Sequence, residues 1–89
     1  MMKIKDGYIL KDVAGSKIVI ATGAQRLNFN GVITFNDVGA EVFNMLNGEN
    51  SLEDIVAKIS ADYNAPIEVV RADVEKLIEK MRKNNLIDE

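Results

Sequence analysis

The chain has 89 residues, of which 47% are hydrophobic and 28% charged, and it carries a formal net charge of -3 with no cysteine and no histidine. This length closes one modest core, and the composition is typical of a folded globular domain. The missing residue types exclude disulfides, thiolate nucleophiles and the commonest zinc ligands and general bases, so we predict one domain with no catalytic residue, cofactor or metal site.

Hydropathy and charge limit where the protein can be located and which partners it can bind. The longest continuous apolar run covers residues 18–21, far below the roughly 20 residues of a membrane helix. We therefore expect a cytoplasmic protein with no membrane partner. Residues 1–35 carry five basic and two acidic side chains, whereas residues 36–89 carry six basic and twelve acidic ones. The second half of the chain is thus markedly acidic.

The first half of the chain predicts three antiparallel strands, at about residues 7–13, 16–22 and 27–35. The first two are short runs rich in Val, Ile and Tyr around a turn at residues 14–15. The third alternates between two faces. One face carries Leu27, Phe29, Ile33 and Phe35, with Gly31 between them, and the other carries Asn28, Asn30, Val32 and Thr34.

After Phe35 the hydrophobic period changes from 2 to 3.6, which predicts helices at about residues 37–47, 51–63 and 66–83. Asn36 and Ser51 are expected N-caps, the latter with an acid three residues on. Gly39 costs about 1 kcal/mol relative to alanine inside a helix, so it is there for close packing or is a tolerated defect.

The helices carry apolar stripes that predict one shared core. Tyr63 closes the stripe of the second helix. In the third helix the stripe contains Ile67, Val70, Val74, Leu77 and Met81, with Ile78 at one border and Arg71, Glu75 and Arg82 just beyond it. Residues 86–87 are expected to fold back onto the core. The fold class is therefore α+β and winged-helix-like, with a three-stranded antiparallel sheet followed by three helices on one face.

This ordered set of elements resembles the PqqD-like family, the stand-alone form of the RiPP recognition element. The resemblance rests on the segments GYILKDV, GVITFN, SLEDIVAKISADY and RADVEKLIEKMRKNNLI and covers roughly residues 4–88. It implies a non-catalytic chaperone that binds the leader of a ribosomally synthesised precursor peptide and presents it to a modifying enzyme, often a radical SAM protein. In that family the leader lies as an added strand against the third strand, beside the third helix.

Elementary chemistry agrees with this implication, because an edge strand offers unpaired N–H and C=O groups to an extended peptide. The predicted peptide-binding residues are Leu27, Asn28, Phe29, Asn30, Val32, Ile33, Thr34, Val70, Arg71, Val74 and Ile78. Arg71 is chosen because a guanidinium binds a carboxylate bidentately. Two alternatives stay open: Arg71 is a surface charge paired within its helix, and the apolar helix residues are ordinary core.

Two other functions compete with peptide capture. A winged-helix DNA-binding transcriptional regulator would share the arrangement of helices and sheet, but the acidic second half opposes phosphate contact, and a carboxy-terminal wing would have to begin where the sequence stops. A structural role, in which the strand edge pairs with a second copy, is the other alternative. We expect a monomer or weak homodimer and no nucleic-acid partner.

Overall fold

The computed structural model describes residues 1–23 and 33–89 of the chain. They form β1 (Lys3–Ile4), β2 (Tyr8–Val13), β3 (Ser16–Ala21), β4 (Ile33–Phe35), α1 (Asp37–Met45), α2 (Leu52–Tyr63), α3 (Ile67–Lys83) and β5 (Ile87–Asp88). The predicted α+β fold is confirmed, and the helix ends agree within two residues. Residues 27–32 of the third predicted strand lie outside the described residues. In the described ranges no helix is long and apolar enough to cross a membrane.

The main sheet is an antiparallel meander in the order β2-β3-β4. Its β2–β3 hairpin turns at Ala14 and Gly15, whose φ values of 52° and 85° are both positive. A two-residue hairpin turn needs positive φ values to match the right-handed twist of the strands that it joins. Val19 is the centre of the inner face, because it is opposite Leu10 on one side and Ile33 on the other. Val19 and Ile33 are buried, and Leu10 is partly buried against them.

A second, two-stranded sheet joins the beginning and the end of the chain. β1 pairs with β5 so that Ile4 is opposite Ile87, and the Lys5 N–H donates to the Leu86 carbonyl at 2.7 Å. Leu86 and Ile87 are buried. The prediction that residues 86–87 fold back onto the core is confirmed, whereas the small sheet itself was not predicted.

The helix starts follow the caps that the sequence predicts. The Asn36 side chain accepts the Gly39 N–H at 2.8 Å. Ser51 accepts the Asp54 N–H at 3.1 Å, and the Asp54 carboxylate accepts the Ser51 N–H at 2.9 Å, which completes a capping box. Gly39 serves close packing, because a Cβ there would lie 2.8 Å from the Cβ of Phe35. β4 and α1 are therefore held together directly around their short connection.

The core lies between the inner face of the meander and the three helices. Its buried members include Val19, Ile33, Phe35, Val42, Phe43, Ile55, Val56, Ile59, Val70, Val74, Ile78 and Met81. The predicted stripes are wrong at two positions, because Tyr63 is 43% exposed and Ile67 is 48% exposed. Tyr63 is the last residue of α2 and Ile67 the first of α3. At these two helix ends a position on the apolar stripe therefore does not ensure burial.

Candidate functional site

β4 is the part of the third predicted strand that the structure describes, and it lies at the edge of the meander. Within residues 1–23 and 33–89 it pairs on one side only, where Phe35, Thr34 and Ile33 face Lys17, Ile18 and Val19 of β3. About half of the backbone groups of such a strand point away from its neighbour. The described edge therefore offers backbone donors and acceptors to an extended chain.

The side chains of β4 alternate as the sequence predicts. Ile33 and Phe35 are buried, and Thr34 between them is exposed. The other predicted residues of this strand, Leu27, Asn28, Phe29, Asn30 and Val32, lie outside the described residues. For Ile33 and Thr34 the orientation is confirmed, while contact with a peptide stays a prediction.

A surface groove runs beside the end of β4, between the start of α1 and one border of α3. Its volume is about 320 Å³, and it is lined by Asn36, Val38, Asp73, Lys76 and Leu77. One turn further along α3, the Lys80 ammonium lies 5.6 Å from the centroid of the Phe35 ring. This distance allows a cation–π contact between α3 and β4. We call these lining residues together with Lys80 the β4–α3 groove.

Three of the predicted helix residues, Val70, Val74 and Ile78, belong to the core and not to the lining of this groove. They are buried together with Ile33 and Phe35. Their side chains help fix the position of α3 relative to the sheet. The alternative that they are core residues is consistent with this burial, and direct contact with a peptide stays a prediction.

Arg71 lies on the other border of α3, which faces α2. Its Nη1 pairs with Oε1 of Glu53, and its Nη2 donates to Oε2 of Glu53 at 2.8 Å. These hydrogen bonds lower the pKa of the Glu53 carboxyl. The guanidinium is thus held by a residue of the neighbouring helix. To bind a peptide carboxylate, Arg71 would first have to release Glu53.

The sequence analysis did not select the α3 residues of this groove, which are Asp73, Lys76, Leu77 and Lys80. An amphipathic stripe has two borders, and periodicity does not say which border lies beside the sheet. The sequence does show that Asp73, Leu77 and Lys80 belong together, because their spacing of three and four residues places them on one border of the stripe, opposite Arg71. The contact between Lys80 and Phe35 identifies this border as the one beside β4.

In the described part of the chain, no group of three or more acidic residues has the geometry to hold a metal ion. The groove instead combines an apolar surface at Val38 and Leu77 with charges of both signs on α3, and β4 is an edge strand. Such a surface suits an extended peptide, whose backbone pairs with the strand while its side chains contact the helix.

Comparison with known proteins identifies the family. Residues 8–87 match the family described as "Coenzyme PQQ synthesis protein D (PqqD)". Two solved structures share the fold: TbiB1 in complex with the TbiA(beta) leader peptide, and lasso peptide synthetase B1 complexed with the leader peptide. TbiB1 aligns to this protein with a TM-score of 0.75 at 17% identity, and the alignment covers 97% of this chain and 94% of the TbiB1 chain.

Lasso peptide synthetase B1 aligns to this protein with a TM-score of 0.77 at 11% identity, and the alignment covers 99% of this chain and 98% of the synthetase B1 chain. At these identities the two structures establish the common fold. No curated protein sequence matches this chain. Because the family match spans most of the sequence, the chain belongs to the PqqD family.

Proposed function

We propose that this protein is a non-catalytic chaperone that captures the leader segment of a ribosomally synthesised precursor peptide by strand addition to β4. The observation that carries the proposal is the position of β4, which pairs with β3 on one side and contacts Lys80 of the β4–α3 groove through Phe35. Membership of the PqqD family and the likeness to two leader-peptide complexes support it.

Strand addition explains how so small a domain binds a peptide. Backbone hydrogen bonds along β4 supply affinity with little demand on sequence, and alternate side chains of the peptide turn toward α3, where the groove selects them. The predicted residues Leu27, Asn28, Phe29, Asn30, Val32, Ile33 and Thr34 then form the strand side of the site. Val70, Val74 and Ile78 help fix the position of α3, and Arg71 is a candidate for a peptide carboxylate that displaces Glu53.

The second partner in this proposal is the enzyme that modifies the precursor, which we expect to be a radical SAM protein as the family resemblance implies. The chaperone itself is expected to be a monomer or weak homodimer, because a stable dimer through β4 would occupy the edge that the leader needs. Sedimentation velocity with and without peptide, and with the enzyme encoded beside its gene, measures both associations.

A DNA-binding role is not favoured. Residues 36–89 carry twice as many acidic as basic side chains, whereas phosphate contact calls for a basic surface. Three of the six basic residues in this segment are also paired with acidic ones: Arg71 with Glu53, Arg82 with Glu89 and Lys58 with Asp62. Family membership points in the same direction.

Isothermal titration tests the proposal with synthetic peptides that cover the short reading frames beside the gene. We expect one peptide to bind through its amino-terminal part, and a scrambled version of that part to bind at least tenfold more weakly. Binding of duplex DNA with none of these peptides bound would overturn the proposal.

A further inference from the structure

A second pocket lies next to the β4–α3 groove, toward the turn between α2 and α3. It has a volume of about 110 Å³ and is lined by Val38, Ile59, Tyr63, Ala65, Val69, Val70 and Asp73. Val38 and Asp73 line the groove as well, so the two spaces are neighbours. We call this second space the α2–α3 pocket.

The pocket has the character of a side-chain site. Its lining is apolar apart from the Tyr63 hydroxyl and the Asp73 carboxylate. An apolar cavity of about 150 Å³ holds a benzene ring, so this one accommodates an aliphatic side chain the size of leucine. Two large apolar residues at its rim, Tyr63 and Val69, are 43% and 54% exposed. Covering them with an apolar group would be favourable.

The pocket lies within reach of a peptide on β4. From Lys80, which is beside Phe35, to Val69 at the pocket, α3 rises about 16 Å. An extended chain covers this length with about five residues. A peptide that pairs with β4 and continues along α3 therefore brings a side chain to the pocket shortly after it leaves the strand.

The rim of the pocket is negatively charged. Asp73 lies at its boundary with the groove. Desolvation raises the pKa of the Tyr63 phenol, and the negative charges of Glu41, Asp37 and Asp62 on α1 and α2 raise it further. Of the cations near this rim, Lys58 is bound by Asp62 at 2.8 Å, and Lys76 lines the groove together with Asp73. A cationic residue of the peptide would be attracted to this rim.

From these observations we infer that the α2–α3 pocket is a specificity site, which takes one large aliphatic side chain of the bound peptide and selects a lysine or arginine next to it through Asp73. The inference rests on the proposed function, since the peptide is the one held on β4. It adds a recognition rule: an aliphatic residue beside a basic one, about five residues from the position opposite Lys80.

A random peptide library displayed on phage and selected on the full chain tests the rule without knowledge of the natural leader. We expect the enriched peptides to share a leucine, isoleucine or methionine with an adjacent lysine or arginine. If peptides are enriched without this pair, the inference is wrong and the proposed function stands. If no peptide is enriched at all, both fail.

Double-mutant cycles with one selected peptide locate the two contacts. Replacing its aliphatic residue by alanine should weaken binding about tenfold to the native protein and less than about twofold to the Val69→Lys variant. Val13→Lys is the matched control, because Val13 is 50% exposed at the other edge of the sheet; there the tenfold loss should persist. Equal losses with Val69→Lys and Val13→Lys would overturn the aliphatic contact.

The basic residue is tested against Asp73→Asn, an exchange at an exposed position of α3. Replacing the peptide lysine or arginine by glutamine should weaken binding about threefold to the native protein and have no effect on the Asp73→Asn variant. The same loss with both proteins would show that Asp73 does not select the charge, while the aliphatic cycle still tests the pocket itself.

Discussion

The ammonium of Lys80 lies 5.6 Å from the centre of the Phe35 ring, and this contact joins the third helix to the strand at the edge of the sheet. Phe35 is the last residue of β4, and Lys80 is on the border of α3 that also carries Leu77 and Asp73. The contact therefore decides which side of α3 a peptide on β4 would meet. Arg71, on the other side, contacts α2 instead.

This assignment of the two borders predicts different effects for two partly buried leucines. Leu77 lines the β4–α3 groove, and Leu52 lies on the side of α3 that carries Arg82. Leu77→Ala and Leu52→Ala should each lower the free energy of unfolding by about 1–2 kcal/mol, less than for full burial. Only Leu77→Ala should weaken binding of a selected peptide, by about tenfold. Urea denaturation and isothermal titration measure the two effects, and an equal loss of affinity would contradict the assignment.

The packing of Gly39 on Phe35 predicts that a favourable helix residue will destabilise the protein. Gly39→Ala should gain about 1 kcal/mol of helix propensity, but its Cβ would lie 2.8 Å from the Phe35 Cβ. We expect a net loss of about 1–2 kcal/mol in the free energy of unfolding, because the overpacking dominates. Urea denaturation measures the change in the free energy of unfolding. Ala57→Gly, at an exposed position of α2, is the control that measures helix propensity without a packing contact. A Gly39→Ala variant that is more stable than the native protein would refute the close contact.

Two carboxyl groups predict pH effects of opposite sign. A hydrogen bond with Asp62 and desolvation raise the pKa of Glu41, so the folded state favours its protonated form and this contribution is lost as pH rises through the raised pKa. Glu41→Gln should therefore raise the melting temperature at neutral pH. The pKa of Glu53 is lowered by Arg71, so its contribution is present at neutral pH and is lost as pH falls through the lowered pKa.

Glu53→Gln should accordingly lower the melting temperature at pH 7, by a small amount because the pair is exposed. Below the lowered pKa of Glu53, both variants should approach the native protein, since the native carboxyls are then protonated. Thermal denaturation, monitored by circular dichroism from pH 7 down to below the lowered pKa of Glu53, checks the prediction. A shift of the same sign for both variants at pH 7 would show that one of the two environments is misassigned.

The sequence was most informative where structure is local. The caps at Asn36 and Ser51 depend on side chains within three residues, and both form as predicted. The β1–β5 sheet escaped prediction because each of its strands has two residues and the pairing joins opposite ends of the chain. The periodicity of α3 gave the buried stripe at Val70, Val74 and Ile78, but the neighbours of each border are a tertiary property.

The same distinction applies to the candidate site. Alternation predicted the facing of Ile33 and Thr34, because it depends on period alone. The role of Lys80 and Leu77 depends on how α3 lies against β4, and no local pattern contains this information. Tyr63 and Ile67 fit the apolar period yet are exposed, and Tyr63 lines the α2–α3 pocket.

Backbone amide exchange of β4 tests the central claim most directly. A selected or natural leader peptide should slow hydrogen exchange at those amides of Ile33, Thr34 and Phe35 that point away from β3, and shift the signals of residues 73–80 on α3. A scrambled peptide serves as the control. Saturating peptide that leaves exchange across β4 unchanged, while binding is observed by titration, would contradict strand addition at this edge.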